Sequence, residues 1–213
     1  MIRFNAMRKF FTVLSVFFFI FASAIAETTV DDVFRSLTET KVTTGNFVQV
    51  KKSKNLKRPL KSSGTYIFSD KGIAWQTLKP FKNSTVVTRD SIIQIGPDGK
   101  KNVTDGSSNE TFKSVASTLS SLFAGEKASI EKFFTIKSFE SNAAEWKMVL
   151  EPNDKTIAQA LNRIILSGKT SASRTSLDAM EVVQGAADST TYTLSNQKYK
   201  QELSADEEAL FKK

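Results

Sequence analysis

The stretch Ser63-Gly64-Thr65-Tyr66-Ile67-Phe68-Ser69-Asp70-Lys71-Gly72-Ile73-Ala74-Trp75-Gln76-Thr77-Leu78-Lys79-Pro80 decides how the chain folds. Tyr66 and Phe68 alternate with Thr65 and Ile67, and Ile73, Trp75 and Thr77 alternate with Ala74 and Gln76, which is the period of β-strands. Between the two runs, Asp70-Lys71-Gly72 supplies a tight turn, because glycine takes a positive φ without a steric penalty. Strands joined this tightly are antiparallel.

Working outward, the same period recurs on both sides. Phe47 and Gln49 share one face of an earlier strand, with Val48 and Val50 on the other. Residues 84–89 and 91–95 read as two more strands around a turn at Arg89-Asp90, and Gly96-Pro97-Asp98-Gly99 is a further turn. Later strands are predicted over 133–140, 145–151, 162–167, 175–183 and 189–196, the last two divided by Gln184-Gly185. Around nine or ten short strands in one meander curl, since strands twist and open edges invite pairing with other chains.

Helices interrupt this pattern. Val30, Val33, Phe34 and Leu37 fall at i, i+3, i+4 and i+7, and Thr29 with Asp32 resembles a capping box. After a polar loop at 106–110, Val115, Leu119, Leu122 and Phe123 recur at helical spacing and stop at Gly125. The other faces of that segment are mostly Ser, Thr and Ala, mediocre helix formers, so tertiary packing must hold it. Short helices are predicted over 126–133 and 154–160, and Ser204 with Glu207 caps a terminal turn before Ala209-Leu210-Phe211. Neither an internal repeat nor a Pro/Ser-rich linker divides the chain. The reading is one α+β domain: a large curved antiparallel sheet, not closed on itself, covered by about three helices. Its concave face must be filled by helices or by a ligand. Phe47, Tyr66, Phe68 and Trp75 could all line it, either as ordinary core or as the wall of a cavity.

The first 26 residues stand apart. Arg3, Arg8 and Lys9 precede an almost wholly apolar run from Phe10 to Phe21, and Ala24-Ile25-Ala26 fits a signal-peptidase site. The run is about a dozen residues, short of the ~20 that a spanning helix needs. An exported protein is expected, with a mature domain over 27–213 and cleavage near Ala26. A plain signal on a chain without cysteine suits the bacterial periplasm. Losing Arg3, Arg8 and Lys9 lowers the formal charge from +8 to +5.

Composition removes most catalytic chemistry. With no histidine and no cysteine, the Ser-His-Asp triad, thiol nucleophiles, disulfides and most transition-metal sites are gone. The carboxylate pairs Asp31/Asp32, Glu207/Glu208 and Asp98/Asp105 lack partners that would mark a glycosidase or metal site, and no phosphate-binding glycine loop is present. A non-enzymatic protein without cofactor is expected. Lys51, Lys52, Lys54, Lys57, Arg58 and Lys61 put six positive charges into eleven residues with no acid. This run reads as the tip of the first hairpin. It is either a solvated loop or a contact for an anionic bilayer or acidic partner, and nucleic acid is an unsuitable partner for an exported chain.

These residues resemble the LolA family, the periplasmic carriers of outer-membrane lipoproteins. The resemblance rests on Gly45-Asn46-Phe47-Val48-Gln49 after an N-terminal helix, on the Gly64…Trp75…Pro80 hairpin, and on Val86-Val87 followed by Asp90-Ser91-Ile92-Ile93. Leu56 with Arg58-Pro59-Leu60-Lys61-Ser62-Ser63-Gly64 looks closer to a divergent branch. The resemblance implies an unclosed β-barrel lidded by helices and a monomer that carries acylated lipoprotein or lipid cargo. It also implies loading by an inner-membrane ABC-type releasing complex and delivery to an outer-membrane receptor. It places the acyl-binding cavity at Phe47, Tyr66, Phe68, Trp75, Val87, Ile93 and Trp146, and a lid at Val115, Leu119, Leu122 and Phe123. Family carriers hold the lid with an arginine shortly before the tryptophan. Here that segment is Ser69-Asp70-Lys71-Gly72, with Lys71 as the nearest cation. A periplasmic protein-interaction or stress-sensing module on the same fold is the alternative reading. N-terminal sequencing of the exported product should begin at Glu27; a chain that starts at Met1 in the membrane fraction would reverse the signal-peptide reading.

Overall fold

The computed structural model describes residues 28–88, 90–105, 127–171 and 174–213. The opening helix forms where its stripe demands: α1 (Val30–Thr38) begins at a Thr29–Asp32 capping box and buries Val33 and Phe34. Strands β1 (Val42–Lys52), β2 (Leu60–Ser69), β3 (Gly72–Lys79), β4 (Asn83–Val87), β5 (Ser91–Ile95) and β6 (Lys101–Asp105) follow as a meander. Next come α2 (Lys127–Glu131), β7 (Phe134–Ser141), β8 (Glu145–Pro152), α3 (Lys155–Ala160), β9 (Arg163–Lys169), β10 (Ala179–Val183), β11 (Ser189–Lys200) and α4 (Ala205–Leu210).

All eleven strands join one antiparallel sheet in the order β6-β5-β4-β3-β2-β1-β11-β10-β9-β8-β7. The chain thus makes two meanders, and β1 joins them by pairing with β11 from Val42↔Lys200 to Lys52↔Ser189. Strands β6 and β7 remain as edges, so the barrel is unclosed. Gly72 has φ +133°, as the β2–β3 turn requires. A Cβ on Gly64 would lie 1.9 Å from the Gln76 carbonyl oxygen, so only glycine lets β3 approach there. In β11, Asn196 at φ 52° lies beside the register shift at Thr44/Asn46, and the strand runs on to Lys200 rather than ending at 196.

Two departures from expectation have simple causes. Strand β6 was not visible as a strand because Lys101-Asn102-Val103-Thr104 is exposed throughout, and an edge strand needs no buried face. The strand predicted over 175–183 shortens to Ala179–Val183, preceded by one bridge at Thr170↔Thr175. The predicted segment 112–124 lies outside the described residues.

The sheet carries apolar residues on both faces. The concave face holds the main core, where Val33 and Phe34 of α1, Ile130 of α2, and Ile157 of α3 meet Phe47, Phe68, Met148, Leu150, Leu166 and Leu194. The opposite face holds a smaller cluster of Val42, Ile67, Ala74, Val86, Ile93 and Phe211, with Leu203 and Leu210 packed against it. The terminal helix anticipated from Ser204 and Glu207 forms with its capping box, and it covers this outer face.

Basic side chains from several strands tie α4 down. Lys71 in the β2–β3 turn pairs with Glu208, and Lys200 pairs with Glu207 at 2.6 Å. Lys101 Nζ donates to the carbonyls of Ala209 and Lys212 at 3.1 and 2.6 Å, and Lys213 reaches Asp90 at 3.0 Å. Burial raises the Glu207 pKa, but hydrogen bonds from Lys200 and Ser204 outweigh it and leave it below the ordinary 4.5. Hydrogen bonds from Lys213 and Thr88 hold Asp90 at about 2, and Lys71 lowers Glu208. A carboxylate with a lowered folded-state pKa stabilises above its unfolded value and ceases to as pH falls through the lowered one. Acidification from about pH 4.5 towards 2 should therefore release α4 before the sheet melts. Hydrogen exchange, corrected for intrinsic rates, should show residues 205–211 losing protection in that window while β1 and β2 keep theirs; unchanged protection would contradict the tether.

Candidate functional site

Register assembles an aromatic wall on the concave face. Tyr66 stands opposite Trp75 across the β2–β3 ladder, and Phe68 stands opposite Ile73. Phe47 lies opposite Gly64 across the β1–β2 ladder. Phe47 and Phe68 each meet Trp75 edge to face, with centroids at 5.1 and 5.4 Å. Tyr66 and Phe68 lie 4.4 Å apart. These edge-to-face and tilted contacts are the favourable arrangements for ring quadrupoles. Phe47, Tyr66 and Phe68 are buried, whereas Trp75 is only half-buried. Four of the predicted cavity residues therefore form one cluster.

A fifth ring was not anticipated. Tyr192 of β11 stands 4.7 Å from Trp75 and 6.3 Å from Phe47, and it too is half-buried. The signal was present in the alternation of Thr190, Tyr192 and Leu194, but nothing in the sequence says that β11 lies beside β1. Trp75 and Tyr192 form the outer layer of the stack, over a buried floor. Burial pushes the Tyr192 hydroxyl above its ordinary pKa of 10.0, so it stays neutral at physiological pH.

One predicted wall residue faces the other way. Val87 pairs with Ile73 and Ile92, which puts Val87 on the concave face together with Ile92. Ile93 pairs with Val86 and packs with Phe211 on the outer face. Adjacent isoleucines leave the alternation ambiguous by one residue, and a one-residue slip moves a side chain through the sheet. Trp146 stands on β8 in the second meander: it is buried like Phe47 and Tyr66, lies opposite Gly168, and its Nε1 donates to the Ser176 carbonyl at 3.0 Å. The lid positions Val115, Leu119, Leu122 and Phe123 lie outside the described residues.

The chemistry at the wall is apolar contact. The buried Tyr66 hydroxyl has no hydrogen-bond partner among the described residues, and burial drives its pKa far upward, which removes it as a proton donor or acceptor near neutral pH. No group of three or more His, Cys, Asp or Glu able to hold a metal occurs among the described residues. Lys71, at the place of the family's lid-closing arginine, is engaged with Glu208 on the outer face. The basic run straddles the β1–β2 connection: Lys51 and Lys52 end β1, Lys54, Lys57 and Arg58 lie in the connection, Lys61 lies in β2, and all six cations are exposed.

No curated protein matches the chain in sequence. Among solved structures, a putative outer membrane lipoprotein-sorting protein domain from Vibrio parahaemolyticus is 12% identical, with 84% of this chain and 94% of that one covered at a TM-score of 0.47. A LolA superfamily protein from Nitrosomonas europaea is 10% identical, with 87% and 98% covered at 0.43. An uncharacterized conserved protein from Thermus thermophilus is 7% identical, with 83% and 91% covered at 0.48. The family model for outer membrane lipoprotein carrier protein LolA-like matches residues 22–198, most of the chain. With an unclosed eleven-stranded barrel around its helices, the chain belongs to that LolA-like family.

Proposed function

We propose that this protein is a periplasmic carrier that holds the acyl chains of lipoproteins, or of another acylated molecule, against its concave face and moves them from inner to outer membrane. The observation that carries this reading is the half-open pair Trp75 and Tyr192 over the buried floor of Phe47, Tyr66 and Phe68. Large rings left partly in water at the centre of a curved sheet gain free energy when an alkyl chain covers them, at ~25 cal/mol per Å² of apolar surface. Family membership and the export signal point the same way.

Energetics dictates how such a carrier works. Each buried methylene is worth ~0.8 kcal/mol, so several long chains hold a lipoprotein in a bilayer by tens of kcal/mol. Protein affinities saturate near roughly −20 kcal/mol, so the carrier cannot extract that cargo unaided. An inner-membrane ABC-type releasing complex supplies the work, and an outer-membrane receptor takes the cargo onward. The carrier itself does no covalent chemistry.

Mass spectrometry of protein purified from its native periplasm should find copurifying acylated peptide or lipid. Trp75→Ala should weaken capture of a fluorescent acyl probe about tenfold, the loss of roughly half a buried aromatic surface. Trp146→Phe strands the Ser176 carbonyl, so it should lower stability by about 1–2 kcal/mol and leave capture unchanged. A Trp75→Ala protein that binds the probe normally, or an empty native preparation that yields only a polypeptide partner, would refute the carrier.

A further inference from the structure

Beside α4, Lys71, Lys200 and Lys213 each meet a carboxylate. At one end of the sheet the β1–β2 connection and the β3–β4 turn come together, because Lys51 pairs with Leu60 and Ser63 with Lys79. None of the six cations from 51 to 61, nor Lys79 or Lys82, forms an ion pair with a described carboxylate. Asp188 accepts from the backbone amide of Lys54 at 3.1 Å, and a hydrogen bond from Ser53 with the nearby charges of Lys54 and Lys51 lowers its pKa, so one carboxylate faces the six cations without a direct ion pair.

Apolar side chains project from the same end. Phe81 is 79% exposed, Leu60 53% and Leu78 51%. They are interleaved with the cations: Leu60 sits between Arg58 and Lys61, and Leu78 and Phe81 flank Lys79 and Lys82. A solvated loop tip has no use for an aromatic ring left in water beside unpaired lysines. An anionic bilayer surface satisfies both features, since its headgroups attract the lysines and its interface accepts Phe and Leu. An acidic protein would meet the charge alone.

From this juxtaposition we propose that the end of the sheet built from the β1–β2 connection and the β3–β4 turn is a reversible docking edge for anionic lipid bilayers. The lysines bring the protein to the surface, and Phe81, with Leu60 and Leu78, enters the headgroup boundary. Attachment is shallow and salt-sensitive, since no helix of the described residues is long and apolar enough to cross a membrane. The edge acts independently of what the concave face carries.

Flotation of the mature chain with phosphatidylglycerol vesicles, against vesicles of phosphatidylcholine alone, tests this. The chain should float with the anionic vesicles at low salt, not with the neutral ones, and be released as salt rises. Lys57→Gln and Arg58→Gln should each weaken binding about fivefold. Phe81→Ser should weaken it about tenfold. All three side chains are exposed, so thermal melting should be unchanged. Equal binding to both lipids, no binding to either, or indifference to all three substitutions would overturn the docking edge. Acyl-probe capture by the same variants reads out the carrier separately, so failure of one idea is distinguishable from failure of the other.

Discussion

An eleven-stranded antiparallel sheet built from two meanders needs one long-range ladder to become a single wall, and here that ladder is β1 against β11. Every other strand pair joins neighbours in sequence and costs little loop-closure entropy. The β1–β11 pairing closes the loop from Lys52 to Ser189, so its free-energy cost is the largest and the rest of the core must offset it. Tyr192 joins the aromatic wall only because this ladder forms, since Phe47 comes from one side of it and Tyr192 from the other.

The same sheet solves two packing problems with its two faces. Inside, α1, α2 and α3 bury Val33, Phe34, Ile130 and Ile157 against the concave surface. Outside, α4 covers a smaller apolar patch and is tied by lysines to two strands and two turns. Covering the outer patch with a helix from the chain's own terminus removes a sticky surface that would otherwise invite association. Lys71 belongs to that arrangement. Its ion pair with Glu208 places it on the outer face.

Charge follows the same economy. Cations beside α4 meet carboxylates, while those of the β1–β2 connection form no ion pair with a described carboxylate and stand near exposed Phe81, Leu60 and Leu78. Where these cations cluster, rather than the net charge of +8, indicates where a partner would sit.

Much was legible in the residues alone: strand period from 47 to 95, the Asp70-Lys71-Gly72 turn, the capping boxes at Thr29 and Ser204, and the basic first hairpin. These are local properties, set by side-chain alternation, backbone freedom and hydrogen bonds within a few residues. Which isoleucine faced inward was not legible, because Val86-Val87 and Ile92-Ile93 are apolar at both positions. The register was set by the turn, where the Thr88 amide donates to the Ser91 carbonyl at 2.9 Å. Tyr192 joining the wall, Trp146 standing in the second meander and α4 taking the outer face were decided only by tertiary structure. A period of two says that faces alternate, but which face curves inward and which distant strand lies alongside are properties of the whole packed chain.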